Sequence, residues 1–371
     1  MRFFFRLKNE FEPTVFINGH GLIVSYTSND NDIEYSTMKE GLKIYSEGIF
    51  KPYPKLGFLF TGQGPDLLHR RFRDDFGQLY NNFESYRGIF SIAKIFLNID
   101  FADLIKKQDE SLRDPELAQP ALVLISIANL TEYFSKNPEL MEHPPALLTG
   151  HSLGELTALI VAGVVSFEDG LKIARLRGEI MKAGSGGMMA IPSLDEDVLR
   201  EVQALFDLDL AVINGPGQVA LSGRGPDIEP AIKFLSEKGI TPTVLPITIA
   251  AHSKIMEEPQ KKFAQALEFF QFNDPKIPIV SVFGPQLRNN GKEIRNAFIQ
   301  QLTHLLNFPE MIAQAKIAGV DHFIEFGAAP ILFGLVKTVD PSLEIISIHN
   351  ASAMERKFDD FYQDSSASIL I

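Results

Sequence analysis

Leu148-Thr149-Gly150-His151-Ser152-Leu153-Gly154-Glu155-Leu156-Thr157 contains G-x-S-x-G, the pattern of a nucleophile elbow, in which a serine sits on a sharp turn from strand to helix. The flanks agree with that pattern. Pro145 to Thr149 is a short apolar run that reads as a buried strand, and Leu153 to Val165 is apolar with few breakers and reads as a helix. Gly150 and Gly154 fit such a turn because a Cβ there would collide with the neighbouring strand and helix. Ser152 at the helix start would meet free backbone N–H groups and the positive end of the helix dipole, both of which stabilise a developing oxyanion. His151 adjoins Ser152, but sequence neighbours at an elbow point apart, so it is a poor candidate for the base.

Working outward, the chain from Lys55 alternates short apolar runs with amphipathic stretches, which predicts an α/β sheet. Strands are expected at Leu56–Phe60, Ala146–Thr149, Ile277–Ser281 and His322–Glu325. Helices are expected at Gln119–Tyr133, Leu153–Val161, Phe167–Lys182, Lys254–Phe270, Ile294–Leu306 and Pro309–Ala318. Residues 186–246 read differently, as β-α-β-β-α-β, the ferredoxin-like order. The expected organisation is an extension over 1–54, a large α/β subdomain over 55–185 and 247–350, the small subdomain over 186–246, and a polar tail over 351–371. In the extension, Thr14–Ile17 and Leu22–Tyr26 read as a strand pair around the turn Asn18-Gly-His-Gly21, and Glu34–Glu47 as a helix.

Composition narrows the function. The chain has 371 residues, of which 45% are hydrophobic and 22% charged, enough for a large core. A net charge of -12 argues against a nucleic-acid or anionic-membrane binder. With no cysteine, disulfides, thiolate zinc sites and a cysteine nucleophile are excluded. The start, Met1 to Glu10, is charged too soon for a secretory signal, and the longest apolar stretches, near Ala158–Val165, are far short of a membrane span. A cytoplasmic protein is expected. Walker A, H-E-x-x-H and EF-hand patterns are absent, and Gly215-Pro-Gly217 lacks the context of a dinucleotide fingerprint.

Gly150-His-Ser-Leu-Gly-Glu155 resembles the nucleophile motif of the malonyl-CoA:acyl carrier protein transacylase family, the acyltransferases of fatty acid and polyketide synthesis. Further segments resemble that family in its order: Phe58-Leu-Phe-Thr-Gly-Gln-Gly64, Ala118-Gln-Pro-Ala-Leu122, Leu176-Arg-Gly-Glu-Ile-Met181, Gly186-Gly-Met-Met-Ala-Ile191, Asn214 to Gly223, and Ala250-Ala-His-Ser253 followed by Met256. The resemblance implies an α/β-hydrolase-like large subdomain with an inserted ferredoxin-like small subdomain. It also implies malonyl transfer from malonyl-CoA to the phosphopantetheine thiol of an acyl carrier protein through an acyl-serine, without metal or redox cofactor.

It assigns roles as well. A serine hydroxyl needs a base, and among eight histidines the resemblance selects His252. An acidic third member between Ser152 and His252 would come from Asp195, Asp197, Asp207, Asp209 or Asp227, all in the small subdomain. The family instead orients its histidine with a backbone carbonyl in the segment holding Gln301, so a Ser152–His252 dyad is expected. Arg177 alone reads as a surface or helix C-terminal arginine. In the family the matching arginine holds the free malonyl carboxylate, a task that suits a guanidinium fork. Acetyl or long acyl groups would leave that charge unpaired, so a dicarboxylic acyl group is favoured. The backbone N–H groups of Gln63 and Leu153 are the implied oxyanion donors. Thr61 and Pro65-Asp66 depart from the family's glutamine loop. Ala251 leaves extra room beside His252, which keeps methylmalonyl open in a trans-acting polyketide role. A hydrolytic editing enzyme on the same fold and a non-catalytic synthase scaffold are further alternatives, as is a generic α/β-hydrolase esterase, which the glutamine loop and the lack of a well-placed acid disfavour. Arg177 argues against the first, and the intact Ser152, His252 and Arg177 set against the second.

Overall fold

The computed structural model describes residues 12–18, 21–27 and 53–361, apart from 65, 139, 141–143 and 193–195. The expected helix Glu34–Glu47, and His20, His143 and Asp195, lie outside the described residues. Strands β1 (Glu12–Asn18) and β2 (Gly21–Thr27) pair antiparallel, Val15 opposite Val24.

β3 (Tyr53–Phe60) and β4 (Pro145–Gly150) lie side by side and parallel. Leu56–Phe60 and Pro145–Leu148 within them read as apolar runs, as parallel strands covered on both faces do. The chain then builds β5 (Gly187–Ile191), β6 (Asp209–Gly215), β7 (Gln218–Gly223) and β8 (Thr243–Val244). It returns through β9 (Ile279–Val280), β10 (Leu287–Arg288), β11 (Leu306–Asn307), β12 (His322–Phe326) and β13 (Glu344–Ile348). The large sheet runs β10-β9-β4-β3-β12-β13, parallel except for the edge strand β10. The small sheet runs β11-β6-β7-β5-β8. Its own four strands are antiparallel and carry the helices Glu196–Phe206 and Gly225–Glu237, which is the ferredoxin-like arrangement. Met189, Val202, Leu221, Ala231 and Leu235 form its separate core.

Three elements differ from the sequence expectation. The helix expected at Ile294–Leu306 spans Gly291–Gln300 only, and Leu306–Asn307 becomes β11, pairing parallel with β6 of the small sheet. Stopping there leaves late carbonyls without intrahelical donors, and the Leu302 carbonyl accepts the His252 N–H at 2.9 Å. The tail is not wholly loose. Ala351–Met354 is helical, Phe358 is fully buried, and its N–H donates to Asn137 at 2.9 Å. A buried aromatic and a buried side-chain acceptor outweigh the polar composition around them. Finally, the apolar stretch near Ala158–Val165 is not the longest. The 22-residue helix Pro115–Lys136 is long and apolar enough to cross a membrane by length and composition, yet 83% of its most apolar window is buried inside the fold. Gln119, Ser126 and Asn129 break up its apolar run in the sequence, and all three are buried.

Ligands in open parallel sheets bind outside the carboxyl ends of the strands. Here the ends of β3 and β4 carry the Gln63 loop and the Ser152 elbow, and the connection to the small subdomain passes over the same edge.

Candidate active site

Ser152 is the second of the two residues between β4 and the helix Leu153–Val161, with φ 52 and ψ -111. Five described non-glycine residues have positive φ, and two are Ser152 and His252. Such backbone strain persists where packing enforces it. The packing is visible at the glycines. A Cβ on Gly150 would lie 2.1 Å from the Gly154 carbonyl carbon, and one on Gly154 would lie 2.0 Å from the Phe60 carbonyl oxygen. The Ser152 hydroxyl caps no N–H of its helix. It faces the His252 Nε2 at 2.9 Å instead.

His252 is 3% exposed. Its Nδ1–H donates to the Gln301 carbonyl at 2.5 Å. That bond fixes the tautomer, leaving Nε2 unprotonated and facing the serine hydroxyl. Burial pushes the imidazole down to about 3, and the nearby Arg177 charge adds to the effect. The ring is therefore neutral, and a base, over the whole physiological range.

Arg177 lies late on the helix Phe167–Met181, whose start is capped by Ser166 accepting from the Asp169 N–H at 3.0 Å. Arg175, two residues earlier, points outward and pairs with Glu116 at 2.9 Å. Residues two apart on a helix face different sides, so Arg177 turns inward. Gly178 makes this possible. A Cβ there would lie 2.1 Å from the Pro115 carbonyl oxygen, so only glycine lets this helix press against Pro115–Lys136. Arg177 is 1% exposed, and its Nη1 donates to the Gln119 side-chain oxygen at 2.9 Å. Its Nε and Nη2 have no hydrogen-bond partner among the described residues. Burial lowers the guanidinium to about 10, which leaves it charged at neutral pH. A buried guanidinium with two unused donors is matched by a carboxylate, which accepts both in fork geometry.

The Gln63 loop meets the elbow at close range: a Cβ on Gly62 would lie 2.3 Å from the His151 carbonyl oxygen. Leu153, the first residue of the elbow helix, carries an N–H with no intrahelical acceptor. Thr61 supplies an N–H to the Phe326 carbonyl at 3.2 Å, a bond that proline at this position would lack. Asp66 continues the loop as a turn, its carboxylate accepting from the Leu68 N–H at 3.0 Å. A cleft opens beside Gln63, lined also by Leu67, Leu112, Arg113, Ala118 and Pro246. It reaches from the large subdomain to the chain leaving the small one.

A profile of the acyl transferase domain matches residues 57–369. The malonyl CoA-acyl carrier protein transacylase of Bacillus subtilis is 31% identical over 313 residues, covering 81% of this chain and 95% of that protein. The chain belongs to the malonyl-CoA:acyl carrier protein transacylase family. It is also 32% identical over 291 residues to the polyketide biosynthesis protein ThaF of Burkholderia thailandensis, covering 76% of this chain but only 24% of that longer protein. The crystal structure of an acyl carrier protein S-malonyltransferase from Vibrio cholerae superposes with a TM-score of 0.71 at 28% identity, covering 81% of this chain and 99% of that one. The transacylase fold thus extends over the large and small subdomains, with β1 and β2 outside the match.

Two residues near this transacylase site were not singled out in the sequence. Gln119 is fully buried and bridges Arg177 to the Gln63 side chain, donating to the latter at 3.3 Å. Its signal was available: an amide on the apolar face near the start of a core helix needs a partner. Asn214, at the end of β6, raises the half-buried His151 imidazole, against the larger effect of burial, which pushes it down to about 4. His151 is therefore engaged by the small subdomain, while Ser152 faces His252. Of the aspartates weighed as a third triad member, Asp207 pairs with Lys254 and Asp209 accepts the Lys254 N–H at 2.9 Å. Neither touches His252.

Proposed function

We propose that this chain moves a malonyl group from malonyl-CoA to the phosphopantetheine thiol of an acyl carrier protein by a ping-pong mechanism. The observation that carries it is the pair of unpartnered N–H donors on the buried Arg177 guanidinium, in a site where Ser152 and His252 are 2.9 Å apart. The malonyl carboxylate pairs with Arg177. His252 takes the Ser152 proton as the serine oxygen bonds to the thioester carbonyl carbon. The oxyanion is held by the N–H groups of Gln63 and Leu153, a pair of donors contributing on the order of a few kcal/mol at the transition state. As the C–S bond breaks, the proton passes from His252 to the CoA sulfur. The carrier thiol then reverses these steps on the malonyl-serine ester, delivering its own proton to His252 and so to Ser152.

The cleft beside Gln63 is the proposed path for the pantetheine arm, being shared by both thioester partners and walled by both subdomains. The reaction balances without a metal or redox group. We assign the large subdomain to 55–185 and 247–350, the small one to 186–246, and the setting to the cytoplasm. The likeness to ThaF supports a second destination for the acyl group, a carrier domain of a polyketide synthase, reached by the same chemistry.

Incubation with malonyl-CoA, followed by intact-mass measurement, is expected to add one malonyl group to the wild type and none to Ser152→Ala. A malonyl adduct on the variant would overturn the mechanism. Adding carrier protein is expected to move the adduct to the carrier. Release of free malonate instead would assign the site to hydrolysis.

A further inference from the structure

Glu155 lies one helical turn past Ser152 and is fully buried. It stands in the first turn of the helix whose start carries the nucleophile. Three groups converge on it. The Ser281 hydroxyl donates at 2.7 Å, the Val282 N–H at 3.4 Å and the Gln301 side-chain amide at 3.4 Å. The third contact matters for the reaction, because Gln301 carries the carbonyl that holds His252 Nδ1. Gln301 closes the helix Gly291–Gln300. Its carbonyl lies in the last turn, where no intrahelical donor holds it. Its side chain is fully buried, and its Oε1 has no partner among the described residues. The bond to Glu155 is thus the side chain's anchor. A buried amide deprived of its anchor pays the desolvation of a polar group, and rotating to find another partner would turn the peptide that faces His252.

We propose that Glu155 is a positioning residue of the dyad: through the Gln301 side chain it fixes the carbonyl that aims the His252 imidazole at Ser152. The inference rests on the dyad reading given above. Burial pushes the Glu155 carboxyl up to about 7. The anchor does not depend on the charge, since a protonated carboxyl still offers a carbonyl oxygen to the Gln301 amide. A glutamine at 155 would do the same, and Gln301 could also turn over to present its unused Oε1 to the new amide.

The test compares Glu155→Ala, Glu155→Gln, His252→Ala and the wild type. Each protein is first titrated with malonyl-CoA and quantified by intact mass, so that rates refer to acylatable sites and a misfolded fraction drops out. Glu155→Ala is expected to lose about 10- to 100-fold in kcat with the malonyl-CoA KM within about threefold, by analogy with residues that orient metal-ligating side chains. Glu155→Gln is expected to recover to within about threefold of wild type. With 15N-histidine labelling, the His252 Nδ1 proton resonance is expected to move in Glu155→Ala and return in Glu155→Gln.

A Glu155→Ala enzyme with wild-type kcat per site, or a loss confined to KM, or an unmoved His252 resonance, would overturn the proposal while His252→Ala remained inactive. If Glu155→Ala yields no acylatable protein, Gln301→Leu decides, because it keeps the carbonyl that holds His252 Nδ1 and removes the side chain that Glu155 anchors. A loss of kcat with a moved His252 resonance then sustains the proposal, and wild-type kcat with an unmoved resonance overturns it. Full activity of His252→Ala would instead bring down the dyad itself.

Discussion

At the scale of single residues, the site separates two tasks between two buried cationic or basic groups. Arg177 keeps its charge and His252 loses its own, and the difference is intrinsic: a guanidinium shifted down to about 10 is still protonated at neutral pH, whereas an imidazole shifted to about 3 is not. Removing the fork in Arg177→Ala is expected to lower malonyl-CoA kcat/KM by about 10²- to 10³-fold, the effect of unpairing a desolvated charge. Acetyl-CoA should be affected far less, so the ratio of the two reports the role. Because His252 is already deprotonated well below neutrality, first-turnover acylation is expected to keep its rate from pH 8 to pH 5. An imidazole at its ordinary 6.5 would lose most of it over that range. Rapid-quench measurement of malonyl-enzyme formation across that interval checks the sign. Ser152 was legible in the sequence because glycine spacing at an elbow leaves few alternatives. His252 and Arg177 were selected from eight histidines and many arginines only by resemblance to a family, and Gln119 was passed over because a buried amide's partner cannot be seen along the chain.

At the scale of elements, the precision of the site comes from close approaches that only glycine allows. The helix Phe167–Met181 touches Pro115–Lys136 through Gly178, and the same contact sets Arg177 against Gln119. Gly178→Ala would push a Cβ to within 2.1 Å of backbone rather than of a flexible side chain. It is expected to cost about 1–3 kcal/mol of stability and to raise the malonyl-CoA KM about 10-fold as the two helices part. Chemical denaturation and steady-state kinetics on the same preparation measure both. The elbow helix begins at Leu153, as its glycine-flanked turn predicts, and ends at Val161, the shorter of the two ends read from its apolar run. The helix expected at Ile294–Leu306 was overextended. Periodicity continued past Gln301, but the carbonyls of Gln301 and Leu302 are committed to His252, and Leu306 pairs with Val212 in the other sheet.

At the scale of the whole molecule, four groups shifted by burial make stability depend on pH in opposite directions. His151 and His252 are pushed down to about 4 and 3 by burial. Their folded values lie below the unfolded 6.5, so their contribution is present above pH 6.5 and is lost as pH falls toward 4 and then 3. Glu155 and Glu325 are pushed up to about 7 by burial. Their contribution is present below the unfolded value of about 4.5 and is lost as pH rises through 7. Between about pH 4.5 and 6.5 the two pairs offset each other. Below that window the histidines act alone, joined by exposed carboxylates such as Asp340, held at about 2 chiefly by its hydrogen bond from Lys316. The Tm is therefore expected to be nearly level from pH 5 to pH 6.5 and to fall steeply below pH 4.5. A Tm that climbs steadily through the level region would show that the carboxyls ionise freely.

The sequence by itself determined the elbow, the α/β alternation and the ferredoxin-like insertion, because each is written in local terms: glycine spacing, apolar period and element order. Resemblance to a family picked out His252, Arg177 and the segment of Gln301, while the tertiary structure alone decided how they meet and that Gln119 and Glu155 stand behind them. Those outcomes depend on which carbonyls and amides are brought together and desolvated when two sheets and their helices pack. A hydrogen bond between residues 49 or 146 positions apart leaves no trace in the period or composition of either segment.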